Sequence, residues 1–317
     1  MTTAATATAR VARTSVRVFA PATIGNIGPG LDILGLAVTG AGDEVHATVA
    51  DRPGVHITGA GHPELPTDPA AHTSGIAAIE VLRRAGAGGV GVELSVTKGL
   101  PLSGGQGGST ASAVAGAVAV NELLGAPLPT AELLAACLVA ESRVAGRHLD
   151  NIAPCLLGGC VLIRSVDEYD VYRIPTPPEL RVVLAHPHQR MRTAEGRSVL
   201  PRMVDRDVAM TQAAHVAALI AAFMSGDLAL LSRSIHDAIA EPVRAPLLPG
   251  FIEAKAAALA AGALGCSISG SGPTAFAFAR EETALHLAHV MRAAYASVGV
   301  DCDIRVASID TAGTRVL

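Results

Sequence analysis

Apolar and polar positions alternate first in SVRVFAPAT, where Val16, Val18 and Ala20 share one face at period two, the pattern of a strand. The alternation returns in VGVELSVTK through Val90, Val92, Leu94 and Val96. Between them, IGNIGPGLDILG sets Gly28, Pro29 and Gly30 as a turn ahead of an apolar run. The period then lengthens. STASAVAGAVAVNELLG predicts a helix closed by Gly125, and PTAELLAACLVAESRVAG predicts another, with Thr130 as N-cap and Gly146 near its end. Strand patterns follow at GGCVLIRS, YDVYRIP and LRVVLAHP, and a helical pattern runs from Arg206 to Ala240. GCSISGSGPTAFAFA predicts two short strands about a tight glycine turn, with a helix and a strand, DCDIRVAS, behind it.

Strands and helices in this irregular order, without a βαβ repeat, predict an α+β protein rather than a doubly wound sheet. The 317 residues suit two domains, which we expect at 1–165 and 166–317. Residues 1–14, hydroxyl-rich and free of acid, are expected to form an unstructured tail.

Composition narrows the function. Half of the residues are apolar and 16% are charged, enough for a packed core. The net charge of −4, with no basic run and no tryptophan, excludes a nucleic-acid partner. No uninterrupted apolar stretch of about 18 residues occurs, so no membrane span is expected. The five cysteines include no CxxC pair and read as small buried hydrophobes in a reducing cytoplasm.

The chemistry concentrates in PLSGGQGGSTAS, from Pro101 to Ser112. A strand pattern precedes it and a long helix follows, so Gly104, Gly105, Gly107 and Gly108 lie at a helix N-terminus. There, unpaired N–H groups and the helix dipole favour an anion, and glycines let the backbone close on it. No lysine follows the glycines, which excludes a P-loop, and Thr110 stands where a dinucleotide fingerprint needs its third glycine. What remains is a lysine-free phosphate cradle, and Mg²⁺ is the natural source of the missing charge. Ser109 offers one metal oxygen. By position alone Glu141 is a solvated helix residue; it offers a second oxygen only if the two helices pack side by side.

Three segments, APATIGNIGPGLDILG, the glycine loop and GALGCSISGSGPTAFAFA, together resemble the galactokinase–homoserine kinase–mevalonate kinase–phosphomevalonate kinase superfamily. Within it, GRHLDNIAPCLLGG, RTAEGRSVLP, IAEPVRAPLLPGF and IDTAGTRVL are similar to stretches of homoserine kinases. The resemblance implies a two-domain α+β fold of that superfamily, ATP with Mg²⁺, and phosphorylation of the side-chain hydroxyl of L-homoserine, a step of threonine biosynthesis. It places Pro101, Gly104, Gly105, Gln106, Gly107, Gly108, Ser109 and Thr110 on ATP, with Ser109 and Glu141 on the metal. Asn26, Asp32, His148 and Asn151 fall on residues lining the homoserine site, and Thr193, Arg197 and Arg244 on positions that grip the amino acid. Arginine forks match a carboxylate, Asp32 suits the ammonium group, and Asn151 orients the reacting hydroxyl but cannot accept its proton. A cytoplasmic enzyme, possible as a homodimer, is expected.

The sequence also departs from that family. Homoserine kinases usually read G-L-G-S-S where this chain reads G-Q-G-G-S, so Gln106 replaces an apolar residue and Gly108 removes a hydroxyl. The usual asparagine near adenine is replaced in AAHTSG, around His72 and Thr73. Two other readings stay open: a non-catalytic relative that binds amino acid or nucleotide, and a kinase of this fold acting on another small alcohol.

Overall fold

The computed structural model describes residues 11–317. Its first sheet is built from β1 (Ser15–Gly25), β2 (Leu34–Ala50) and β3 (Gly54–Gly59), followed after helix α1 (Thr73–Arg84) by β4 (Gly91–Thr97). Helices α2 (Gly108–Leu123), α3 (Thr130–Val144) and α4 (Ile152–Leu157) come next, then the hairpin of β5 (Cys160–Ser165) and β6 (Asp170–Ile174). The second half holds β7 (Leu180–Pro187), α5 (Thr193–Ser198), α6 (Arg206–Ser225), α7 (Leu228–Ser232), α8 (Glu241–Arg244) and α9 (Phe251–Ala260). It continues with β8 (Cys266–Ile268), β9 (Ala275–Arg280), α10 (Glu281–Ser297), β10 (Cys302–Ser308) and β11 (Arg315–Val316).

The first sheet runs β11-β1-β2-β4-β3, with β5 joined to β2 and β6 to β5. All its pairs are antiparallel except β3 with β4. Helices α1, α2 and α3 pack against one another, and α2 lies on β1 and β2. Its alanine and valine side chains are buried on nearly every face, which is why no single apolar stripe marks it. The second sheet runs β10-β7-β9-β8, wholly antiparallel, with α9 and α10 covering it around Phe251, Leu287, Met291 and Tyr295.

The two halves share a core. Ile24, Leu36 and Val114 of the first half belong to the same buried cluster as Leu184, Phe276, Phe278 and Ala307 of the second. The expected division at Ser165 falls inside the β5–β6 hairpin of the first sheet; we propose the passage between halves at 175–179, where the chain leaves that sheet.

Several expectations are corrected. Residues 12–14 are tied down: the N–H groups of Ala12 and Arg13 donate to Leu123 O, and Thr14 O accepts from Val49. Residues 1–10 of the expected tail lie outside the described residues. Pro129, not Thr130, takes the N-cap position of α3, without a side-chain bond. The helical stretch after Arg206 breaks at Gly226, which turns left-handed at φ 72°. By length and hydropathy alone α6 is a candidate membrane span, yet its buried Gln212 donates to Pro29 O and Asp237, which seats it on the protein.

Candidate active site

A cavity of about 500 Å³ opens where the loop between β4 and α2 meets the ends of β7, α5, α8 and the β8–β9 turn. Its wall carries Pro101, Gly104, Gly105, Gly107, Gly108, Ser109 and Thr110. The remaining site candidates, Asn26, Asp32, Glu141, His148, Asn151, Thr193, Arg197 and Arg244, line it as well. Only Gln106 does not; its side chain is turned away.

The loop is held from behind. In a trans peptide the carbonyl and the next N–H point opposite ways, so a bond to one aims the other. Thr274 Oγ1 donates to Gly104 O at 2.5 Å, Ser269 Oγ to Gly105 O at 2.6 Å, and Thr23 N to Gln106 O at 3.1 Å. Each bond turns the following N–H, of Gly105, Gln106 and Gly107, to the other side. None of these three has an acceptor among the described residues. Gly107 caps α2 at φ 69°, with Thr23 Oγ1 only 2.1 Å from where a Cβ would stand. The outcome is a nest of free N–H groups at the start of a helix.

A lysine does approach this loop, and the sequence reading missed it. Lys98, one residue past β4, sends Nζ to Gly108 O at 2.7 Å, to Ser112 Oγ at 3.0 Å and to the buried Asp43. Asp43 also accepts from Gly99 N, Leu100 N and Ser112 Oγ. Lys98 therefore holds the backbone of the helix start with its charge matched by Asp43. Its place three residues before Pro101, the first residue of the loop, was the one available signal.

Beside the nest, α3 brings Glu141 against α2. Ser109 Oγ donates to Glu141 Oε2 at 3.4 Å, and the carboxylate is buried. Burial pushes its pKa up, with the His148 charge acting against that. His148 Nε2 stands 4.0 Å from Glu141 Oε1, and neither it nor Thr110 Oγ1 finds a hydrogen-bond partner among the described residues. A buried carboxylate and a hydroxyl at a phosphate nest are the oxygen donors that Mg²⁺ takes from protein, so the residues fit the metal. The helix is not solvated at this position.

The far wall is a charged cluster. His148 Nδ1 donates to Asp150 at 2.7 Å, and although burial disfavours the imidazolium, the Asp150 and Glu141 charges and that bond raise its pKa to about 9. Asp32, His148 and Asp150 bring side-chain ligand atoms within 4.8 Å of one another. Arg197 grips Asp32 with two N–H bonds, at 3.2 and 2.5 Å. Asn26 is a brace: its Oδ1 accepts from Asp32 N, and its Nδ2 donates to Gly270 O at 3.0 Å. The same carbonyl accepts from Arg244, whose Nε also bonds Gly196 O, so α8, α5 and the β8–β9 turn are pinned together. Asn151 Oδ1 accepts from Thr23 Oγ1 at 2.8 Å, which fixes the amide. Arg190 and Glu64 form a two-bond ion pair on the cavity wall.

His72 caps α1 through Nδ1, accepting from Ser74 N, while Nε2 reaches Ala60 O. Desolvation lowers its pKa, so it is neutral with the proton on Nε2. The structure sets His72 on the cavity wall beside Thr73, Leu65 and Pro66.

Comparison with known proteins identifies the family. The family model for the GHMP kinases N-terminal domain matches residues 73–159, and that for the GHMP kinases C-terminal domain matches 219–297. The homoserine kinase of Chlorobium phaeobacteroides is 44% identical over 94% of this chain and 98% of its own. The homoserine kinase of Arabidopsis thaliana is 42% identical over 96% of this chain and 85% of its own. The crystal structure of homoserine kinase from Cytophaga hutchinsonii superposes with a TM-score of 0.92 at 39% identity, covering 97% and 99% of the two chains. A Lactococcus lactis galactokinase, at 17% identity and a TM-score of 0.72, shares the fold alone. The chain belongs to the homoserine kinase family of the GHMP kinases.

Proposed function

We propose that the chain transfers the γ-phosphoryl group of ATP to the side-chain hydroxyl of L-homoserine, giving ADP and O-phospho-L-homoserine. The observation that carries this reading is a single cavity with a phosphate nest on one wall and a paired-charge cluster on the other, in a chain whose relatives named above are homoserine kinases. Phosphoryl transfer asks mainly for positioning and charge neutralisation, which both walls are built to give.

The N–H groups of Gly105 and Gly107 would take the phosphate oxygens. Ser109 and Glu141 would hold Mg²⁺, which supplies the positive charge that balances the triphosphate. Homoserine is a zwitterion, and the Asp32–Arg197 pair presents both complements: Arg197, with Arg244 behind it, for the carboxylate and Asp32 for the ammonium. Thr193, at the first turn of α5, sits on the same wall. Asn151, fixed by Thr23, directs the hydroxyl. The amide of Asn151 takes no proton, so the hydroxyl proton would pass to the phosphoryl oxygens or to water.

A coupled ADP-release assay across homoserine, mevalonate, shikimate and galactose tests the reading. Homoserine should be turned over well ahead of the others in the presence of Mg²⁺. Folded protein that releases no ADP above background with millimolar homoserine overturns it.

A further inference from the structure

Gln106 stands where the resembled family carries an apolar side chain, and it is buried between the two halves of the molecule. Its amide is used at both ends: Oε1 accepts from Arg305 at 2.8 Å, and Nε2 donates to Thr274 Oγ1 at 3.3 Å. A guanidinium has only donors, so Arg305 decides which end of the amide faces it. Nε2 is thereby left for Thr274. The threonine has one proton, and with Gln106 donating to it that proton goes to Gly104 O. His186 Nδ1 also stands 3.1 Å from the same oxygen. The order of donors runs without a break from Arg305 on β10 to the first tethered carbonyl of the phosphate nest.

We propose that Arg305 is a positioning residue for the nucleotide phosphates, acting through Gln106 and Thr274 to hold the Gly104–Gly105 peptide with its N–H toward the cavity. This rests on the kinase reading above. The guanidinium makes no other hydrogen bond among the described residues, and its NH1 is buried without a partner. Desolvation lowers its pKa to about 10, which leaves it charged at neutral pH. A half-buried cation with one neutral acceptor, and NH1 enclosed without a partner, is costly to stability, so an apolar pair at both positions would hold the fold as well or better. At position 106 a directional polar contact thus stands where the resembled family carries an apolar side chain.

The test is a double-mutant cycle on the full chain, read by calorimetric titration with MgATP in the absence of acceptor and by KM for each substrate. Arg305→Leu frees the Gln106 amide to flip and accept the Thr274 proton; MgATP affinity should fall roughly tenfold, while KM for homoserine stays within about twofold. Gln106→Leu should have a similar effect, and Gln106→Leu with Arg305→Leu should return MgATP affinity to within about threefold of wild type. Thr274→Val breaks the far end with Arg305 intact and should match Arg305→Leu, which keeps the test open if the arginine variant does not fold. Unchanged MgATP affinity in folded Arg305→Leu or Thr274→Val, equal rises in both KM values, or a double variant showing the product of the single losses overturns the proposal. Because MgATP binding is read without acceptor, a wild type that binds MgATP but ignores homoserine marks failure of the kinase reading, whereas unchanged MgATP affinity in the variants marks failure of this one.

Discussion

Arg197 holds both carboxylate oxygens of Asp32 across 165 positions of sequence, joining α5 of the second half to the turn before β2 of the first. On the proposed reading, the acceptor amino acid would exchange part of this pair for its own charges. Arg197→Ala should therefore raise KM for homoserine ten- to a hundredfold, from a charged bond worth about 1.5–3 kcal/mol, with KM for ATP little changed. Asp32→Asn with Arg197→Gln should cost less than the product of the single changes, because the two residues are one unit. Steady-state kinetics with both substrates varied checks this, and equal effects on both KM values would point instead to loosened packing between the halves.

Glu141→Gln keeps the shape of the buried side chain and removes its charge. At saturating Mg²⁺, kcat should drop about 100-fold, as expected if roughly 3 kcal/mol of charge stabilisation is lost. Burial already disfavours the carboxylate, so the thermal unfolding midpoint measured in chelator should not fall. Near-normal turnover in this variant would return Glu141 to a purely structural role.

The loop glycines differ in what they tolerate. Gly107→Ala places a Cβ 2.1 Å from Thr23 Oγ1 in a left-handed residue, a conformation that alone costs about 1–2 kcal/mol. It should lose stability and nucleotide binding together. Gly108 lies in the helix, where a Cβ stands 3.2 Å from Pro101 O, so Gly108→Ser should fold and lower KM for ATP by no more than about tenfold. Ranking the two variants by denaturant midpoint and by KM for ATP decides; a Gly107→Ala protein as stable and active as wild type refutes the cap geometry.

Lys98→Met leaves Asp43 buried without its cation. Such a loss typically costs 3–5 kcal/mol, and because Asp43 keeps three other donors we expect about 3 kcal/mol in urea unfolding. Asp43→Asn should cost a similar amount, since each strands the other. A Lys98→Met protein with wild-type stability would show that the pair contributes nothing.

Cys137, Cys155, Cys160 and Cys266 are buried, and desolvation raises every one of their thiol pKa values. Cys302 is half-buried and pushed up to about 12. With on the order of one thiolate in ten thousand at pH 8 for such a group, none should react with a thiol reagent in minutes in the native state. All five should react in denaturant. A rapidly titrating thiol in the folded protein contradicts this burial.

Local patterns carried much of the architecture. The alternation in β1 and β4, the glycine loop and the bodies of α2 and α3 follow from neighbours in sequence, and they were legible. Strand β2 was not, because the extra residues Thr39, Gly40 and Ala41 bulge out of its pairing with β1 and break the period. Helix α1 follows a loop rich in proline and turn residues, and its contrast between buried Ile76, Val81 and Leu82 and the polar Glu80, Arg83 and Arg84 was there to be read but was passed over. The site was read residue by residue from family motifs, and those residues do line one cavity, apart from the Gln106 side chain. What sequence could not give were the partnerships: Arg197 with Asp32, Lys98 with Asp43, and Arg305 with Gln106 join residues far apart in the chain, and only packing brings them together.

The shared core has a consequence during synthesis. While the ribosome is still making the second half, the first half has Ile24, Leu36 and Val114 ready but lacks Leu184, Phe276, Phe278 and Ala307 to cover them. At about 5–20 residues per second this exposure lasts from several seconds to tens of seconds. A stalled or truncated nascent chain would therefore present open apolar faces to its neighbours, and chaperones that shield such faces should decide how much of it survives to become enzyme.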